Sequence, residues 1–451
     1  SPLRRWRKTG HIIKIAVKTP TTPAAIQAPC QSGSAWSFTL ETPLGNPIPE
    51  IFSVEQDVRP KIAPREIAEN RALAKDFLVG FKFIGQEYRS VSPLEPTGSS
   101  VLCVVSITPN FQSEPRLHEA ARLALPHIFE ATWPDPAKLG TDSKSAALLL
   151  NEARETFASH LGVRSDEINF LGEPNLGFHL GISGLMSAEK RLVHSNIERM
   201  EVFAIAQAHS SEVLPVSKSG QIDFSGLTPN DVVSLQLCNR ETGIIQSARP
   251  ENISALFVDA TSSGTRIALP ENWSTALWDS TSWAGPSGIG IFAVSKSADW
   301  KNPLPHLDGR INPGPTSLPL IVASALAIDS WVADEKNLAA KIAAINSDIR
   351  SYISTNIPDS DLAPGEADHL ISASFLYVNA EQLVTKLADK GYSVDSGSAC
   401  SAANMQPSHV LAALGVLTQG NIRLTIHHAT TFEEVKEFLE VLSQTIAECR
   451  S

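Results

Sequence analysis

The side chain best placed to do chemistry is Cys400, in the stretch DSGSACSAANMQPSHVLAALG from Asp395 to Gly415. Gly397, Ser398, Ala399, Ser401, Ala402 and Ala403 surround it with small residues. They leave the backbone free to turn and the thiol uncrowded, which suits a cysteine that must reach a partner. The competing reading is a tight loop ahead of the helix PSHVLAALG, with Cys as a small hydrophobe. Four further side chains end apolar or strand-like runs: Asp259 in ALFVDAT, His194 in RLVHSN, Asn239 in CNRETG and Arg423 in NIRLTI. Taken singly, each is ordinary: a turn or cap for Asp259, a surface or core histidine for His194, a solvated arginine for Arg423.

These residues need elements to hold them. From Arg191 to Phe292 the runs RLVHSN, HSSEVLPVS, DVVSLQLCN, ALFVDAT, TALWDST and IGIFAVS alternate with more polar text. That is the rhythm of an open, mainly parallel sheet, which binds ligands outside the carboxyl ends of its strands. Ahead of it, HEAARLALPHIFE and SKSAALLLNEARETFASHLGV carry apolar residues at helical spacing. A long helical run from Leu318 to Ile353 then leads to a smaller α+β region holding the cysteine loop. The first hundred residues read as a small α+β module with no evident function. It has a basic opening, SPLRRWRKTGHIIKIAVK, a linker, TPTTPAAIQAPCQSGS, and a helix, PREIAENRALAKDFLVG. The expected division is 1–100, 101–345 and 346–451.

Bulk properties narrow the classes. A chain of 451 residues can build two or three cores. With 42% hydrophobic and 19% charged residues it reads as an ordinary soluble protein. A net charge of −11 makes nucleic-acid binding unlikely on electrostatic grounds. No apolar run reaches the ~18 residues of a membrane helix, and no signal peptide is evident. Cys30, Cys103, Cys238, Cys400 and Cys449 lack metal-site spacing. Reduced thiols in a cytoplasmic protein are the simplest expectation.

The cysteine loop, together with NIRLTIHHATTFEEVKEFLEVL, resembles the cysteine desulfurases of the NifS/IscS type. These are pyridoxal phosphate (PLP) enzymes of the class V aminotransferase fold, and the similarity spans roughly residues 101 to 448. It implies an α/β fold with a mainly parallel seven-stranded large domain, a smaller α+β C-terminal domain and an extra N-terminal module. It also implies roles: Cys400 as sulfur acceptor, Asp259 on the pyridine nitrogen and His194 stacking on the ring. Asn239 would lie near the substrate, and Arg423 on its carboxylate. A dimer is implied, with Ser317 reaching a neighbouring subunit's phosphate.

Two family elements differ here. The pattern SGHKxxGPxGxG corresponds to DSTSWAGPSGIG, which places Ser282 at the Schiff-base lysine and Thr281 at the preceding histidine. Lys296 lies beyond a further strand, about 20 Å away at ~3.3 Å per residue. The phosphate loop SGATESNN corresponds to GEPNLGFH, with Pro174 lacking an N–H and Asn175 at the threonine. Ser262 replaces the glutamine that touches the ring oxygen. The expectation is a desulfurase-like protein that has lost PLP and serves as a non-catalytic partner, as a homodimer or with a related subunit. The alternatives are a PLP-independent sulfur carrier using Cys400, passing sulfur to an acceptor protein, and an active desulfurase or lyase with an atypical site.

Overall fold

In the computed structural model, the described residues are 3–8, 11–16, 35–36, 54–55, 109–305, 311, 316–397 and 407–451. Cys400 and the expected helix at 64–80 lie outside them. The chain divides into two units, Ser1–Phe81 and Lys82–Ser451. In the first, β1 (Leu3–Lys8) pairs antiparallel with β2 (His11–Ala16), and β3 (Ala35–Trp36) with β4 (Val54–Glu55).

The second unit is built on a seven-stranded sheet. Its strands are β6 (Ile168–Leu171), β7 (Arg191–Ser195), β8 (Ser211–Leu214), β9 (Asp231–Gln236), β10 (Ala255–Asp259), β11 (Thr275–Asp279) and β12 (Gly290–Val294). Their order is β6-β12-β11-β10-β9-β7-β8. Neighbours from β8 to β11 pair parallel, while β12 runs antiparallel to both β11 and β6. β9 and β10 are buried at every position, which is why their apolar residues do not alternate with exposed ones.

Helices cover the sheet because their sequences carry one apolar stripe. In α1 (Glu119–Ala131) the buried positions are Ala121 and Ile128. In α2 (Thr141–Leu161), Ala146, Leu149, Ala153, Phe157 and Leu161 recur at three- and four-residue steps, all buried. The left-handed Gly162, at φ 69°, ends the helix. α3 (Leu176–Ser183) and α4 (Met200–Ala206) follow β6 and β7.

A single 39-residue helix, α5 (Leu318–Asn356), connects the large core to the small one. It runs uninterrupted through position 345, and Ile342, Ile345, Ile349 and Ile353 already belong to the small core. That core is completed by the antiparallel strands β13 (Ser360–Leu362), β14 (Leu370–Phe375) and β16 (Ile422–Thr425). Around them pack α6 (Ala380–Asp389), α7 (His409–Leu414) and α8 (Phe432–Arg450). α8 starts on a capping box in which Thr431 Oγ1 accepts from Glu434 N at 3.2 Å and Glu434 accepts from Thr431 N at 2.9 Å. β5 (Asn110–Phe111) pairs parallel with β15 (Ser393–Val394), so Phe111 joins the small core rather than the large one.

Candidate active site

The chain leaves β7, β9, β10 and β11 toward one cavity of about 390 Å³. Arg199, Arg240, Thr261 and Ser262, and Thr281 and Ser282 follow those strand ends and line it. The opposite wall is Trp331 of α5, then His369 and Leu370, and Thr425 to His428. The cavity therefore lies at the carboxyl ends of the parallel strands, where open α/β sheets bind ligands.

Of the residues singled out in the sequence, Asn175, Ser262, Thr281 and Ser282 line this cavity. Ser282 Oγ donates to the Asp279 carbonyl at 2.7 Å, and the Ser262 carbonyl lies 3.0 Å from His369 Nε2. Asp259 is 1% exposed at the end of β10, behind Thr261. One carboxylate oxygen accepts from Thr261 N at 2.9 Å and Thr261 Oγ1 at 2.6 Å, and the other from Gln236 Nε2 at 3.3 Å. Asn239 is a turn scaffold. Its Oδ1 accepts from Glu241 N, Thr242 N and Thr242 Oγ1, while its Nδ2 donates to Gln236 and to the Ile197 carbonyl. Gly243, at φ 80°, closes that turn against Ala367 and Leu370.

His194 lies within β7 and away from the lining. It is 2% exposed, with Nδ1 3.0 Å from the Ser195 carbonyl and its ring edge-on to Phe203 at 4.9 Å. Burial lowers its pKa. Five residues further on, Arg199 presents the cavity with a guanidinium instead of an imidazole. It donates to Thr261 Oγ1 at 3.1 Å and Asn175 Oδ1 at 3.2 Å, pairs with Glu201 and lies 4.6 Å over Phe178. Burial pulls its pKa down, but Asp259 and Glu201 outweigh that and leave it raised. Arg423 sits on β16, 5% exposed, and its guanidinium meets the Asp395 carboxylate at 2.8 Å. Asp395 also accepts from Ser113 N at 2.9 Å.

Sequence reasoning passed over the cationic and imidazole lining: Arg199, Arg240, Arg266, His369, His427 and His428. The doublet His427-His428 directly after β16 was the one available signal. Burial holds both below the ordinary histidine pKa, His428 at about 4.

The family described as Aminotransferase class-V matches residues 137–438. The chain belongs to the class-V aminotransferase family. Among curated relatives, the cysteine desulfurase IscS of Dictyoglomus turgidum is 25% identical over 363 residues, covering 72% of this chain and 92% of the relative. The cysteine desulfurase IscS of Methanosarcina thermophila is 25% identical over 374 residues, 76% and 92% of the two chains. Among solved structures, a NifS-like protein superposes with a TM-score of 0.68 at 20% identity, covering 76% of this chain and 100% of that one. The NifS-like protein of Rickettsia africae gives 0.67 at 15% identity, covering 76% and 100%. These structures share the fold.

The family is PLP-dependent, and the residues present here do not fit an imine-bound PLP. Among the described residues lining the cavity there is no lysine. Lys296 is exposed on the far side of β12 beside Asp166, and Lys341 donates to the His428 carbonyl from outside the lining. The amides opening α3 are already used. Leu176, Gly177 and Phe178 N–H donate to the carbonyls of Glu173, Pro174 and Asn175, while Asn175 N–H donates to the Glu173 carboxylate at 3.1 Å. A phosphate there would meet a carboxylate and no spare backbone N–H among the residues opening α3.

Proposed function

We propose that this chain is a cysteine-desulfurase-like protein that has given up Schiff-base catalysis and acts as a non-catalytic partner or regulatory subunit. The observation that carries this reading is the cavity lining, where Ser282 stands with its hydroxyl donated to the chain and no described lysine joins it. A serine hydroxyl cannot form an imine, so PLP would have no covalent anchor. The Arg423–Asp395 pair supports the same reading. An arginine that in the proposed ancestry held a substrate carboxylate is here neutralised by a carboxylate of the chain itself. The proposed assembly is a homodimer, or a heterodimer with a related active subunit.

The test is the absorbance spectrum of purified full-length protein with and without added PLP, followed by borohydride reduction and peptide mapping. The reading expects no imine band and no PLP fixed to any peptide. A band that reduction fixes to a lysine, Lys341 included, would overturn it.

A further inference from the structure

One end of the cavity has more buried donors than partners. Arg266, in the turn after β10, donates to the carbonyls of Ser263 at 3.4 Å and Ser282 at 3.2 Å, and lies 4.8 Å over the Trp331 ring. Burial pushes its pKa down to about 10 against the opposing pull of Glu335. Around it, Trp331 Nε1, Thr425 Oγ1 and His428 Nδ1 are buried with no hydrogen-bond partner among the described residues, while His369 uses its Nε2–H on the Ser262 carbonyl and keeps an acceptor lone pair at Nδ1. Trp331, His369 and Thr425 are 4%, 7% and 8% exposed, and all line the same cavity as Arg266. The half-buried Asp279 of this cavity acts on Arg199 and Arg240, and the acid that acts on Arg266 is Glu335, which does not line this cavity. Leaving a buried polar group without a partner is costly. Three such atoms beside a buried cation are explained if a ligand satisfies them.

We propose that the Arg266 end of the cavity is a receptor for a small oxyanion, a carboxylate or a phosphate group, held without a covalent bond. The guanidinium supplies a planar fork matched to either group. Trp331 Nε1 donates to the same oxygens, and the Thr425 hydroxyl and His428, in the tautomer with its proton on Nδ1, complete the shell. The volume of about 390 Å³ lies within the ~300–1,000 Å³ usual for small-molecule sites. This inference rests on the cofactor-free reading above, because PLP would fill the same space. It gives the proposed regulatory subunit a ligand to sense.

The experiment is calorimetric titration of the full-length protein with succinate and, separately, with inorganic phosphate, in the wild type, Arg266→Met and Trp331→Phe. Wild type should bind at least one probe in the millimolar range or tighter, and the preferred probe tells carboxylate from phosphate. Arg266→Met should weaken that binding about tenfold or more, the loss of a charge-assisted hydrogen bond of ~1.5–3 kcal/mol. Trp331→Phe keeps the ring under Arg266, removes one donor, and should weaken binding severalfold with the fold intact by circular dichroism. No heat with either probe, or unchanged affinity in both variants, would overturn the proposal. Its failure is distinct from failure of the cofactor-free reading, which shows as an imine band.

Discussion

Two buried acids make the residue scale testable. Glu198, 1% exposed between β7 and α4, accepts from Ser234 Oγ at 3.3 Å, and its second oxygen has no partner among the described residues. Burial first, and the Asp259 charge second, push its pKa from 4.5 up to about 8. The folded state therefore keeps a proton that the unfolded state releases. Stability from this group is complete below about pH 4.5 and is lost as pH rises toward about 8. Glu198→Gln, which cannot ionise, should match wild type at the acid end and exceed it by on the order of a few kcal/mol at the alkaline end. Urea melts of both proteins across that window check this, and parallel pH curves would refute the assignment. Asp395 is needed for its pairing with Arg423. Asp395→Ala leaves Arg423 buried at 5% exposure without its carboxylate. Breaking such a pair costs roughly 3–5 kcal/mol, measurable as a lower denaturation midpoint at unchanged slope.

At the scale of elements, α3 shows how closely the sheet is covered. A Cβ on Gly177 would meet Leu277 at 2.4 Å, and one on Gly181 would meet Phe257 at 2.4 Å. The two glycines, four residues apart, let the helix lie against β10 and β11. Gly181→Val should therefore cost roughly 1–3 kcal/mol or more by overpacking. Because Gly181 also accepts from Thr275 Oγ1 at 3.1 Å, the variant should expose the amides of α3 to hydrogen exchange before those of α2. The elements were legible for a plain reason. Strands β7 to β12 are short apolar runs, and α2 and α5 carry apolar residues at helical spacing, so periodicity alone finds them. The site was less legible because its neighbours are distant in sequence. Asp395 meets Arg423 across the pairing of two chain segments, and Arg266 meets Trp331 across a turn and a helix. His194 was singled out by residue type, yet β7 is buried on both faces and takes it into the core, while Arg199, past the strand end, faces the cavity.

On the scale of the whole Lys82–Ser451 unit, the decisive element is α5, because one uninterrupted helix serves both cores. Its first half packs on α1 and α2, with Ile321, Val322, Ala325 and Ile328 buried. From Ile342 onward its isoleucines fill the small core with Phe375, Leu424 and Phe438. The cavity lies where the two cores face each other, with Trp331 contributed from the middle of this helix. A rigid connector of this kind makes unfolding of one core expose apolar surface of the other, so the unit should melt in a single calorimetric transition. Ala344 is exposed and lies where α5 enters the small core. Ala344→Pro removes one helical hydrogen bond and clashes with the preceding turn, costing about 3 kcal/mol or more, without touching either core directly. The expected result is a split into two transitions, the lower one belonging to the small core. It should also weaken oxyanion binding at Arg266, since Trp331 and His369 would no longer be held to one geometry. A single transition shifted to lower temperature, with binding intact, would mean that the cores are coupled through their facing surfaces and not through the helix.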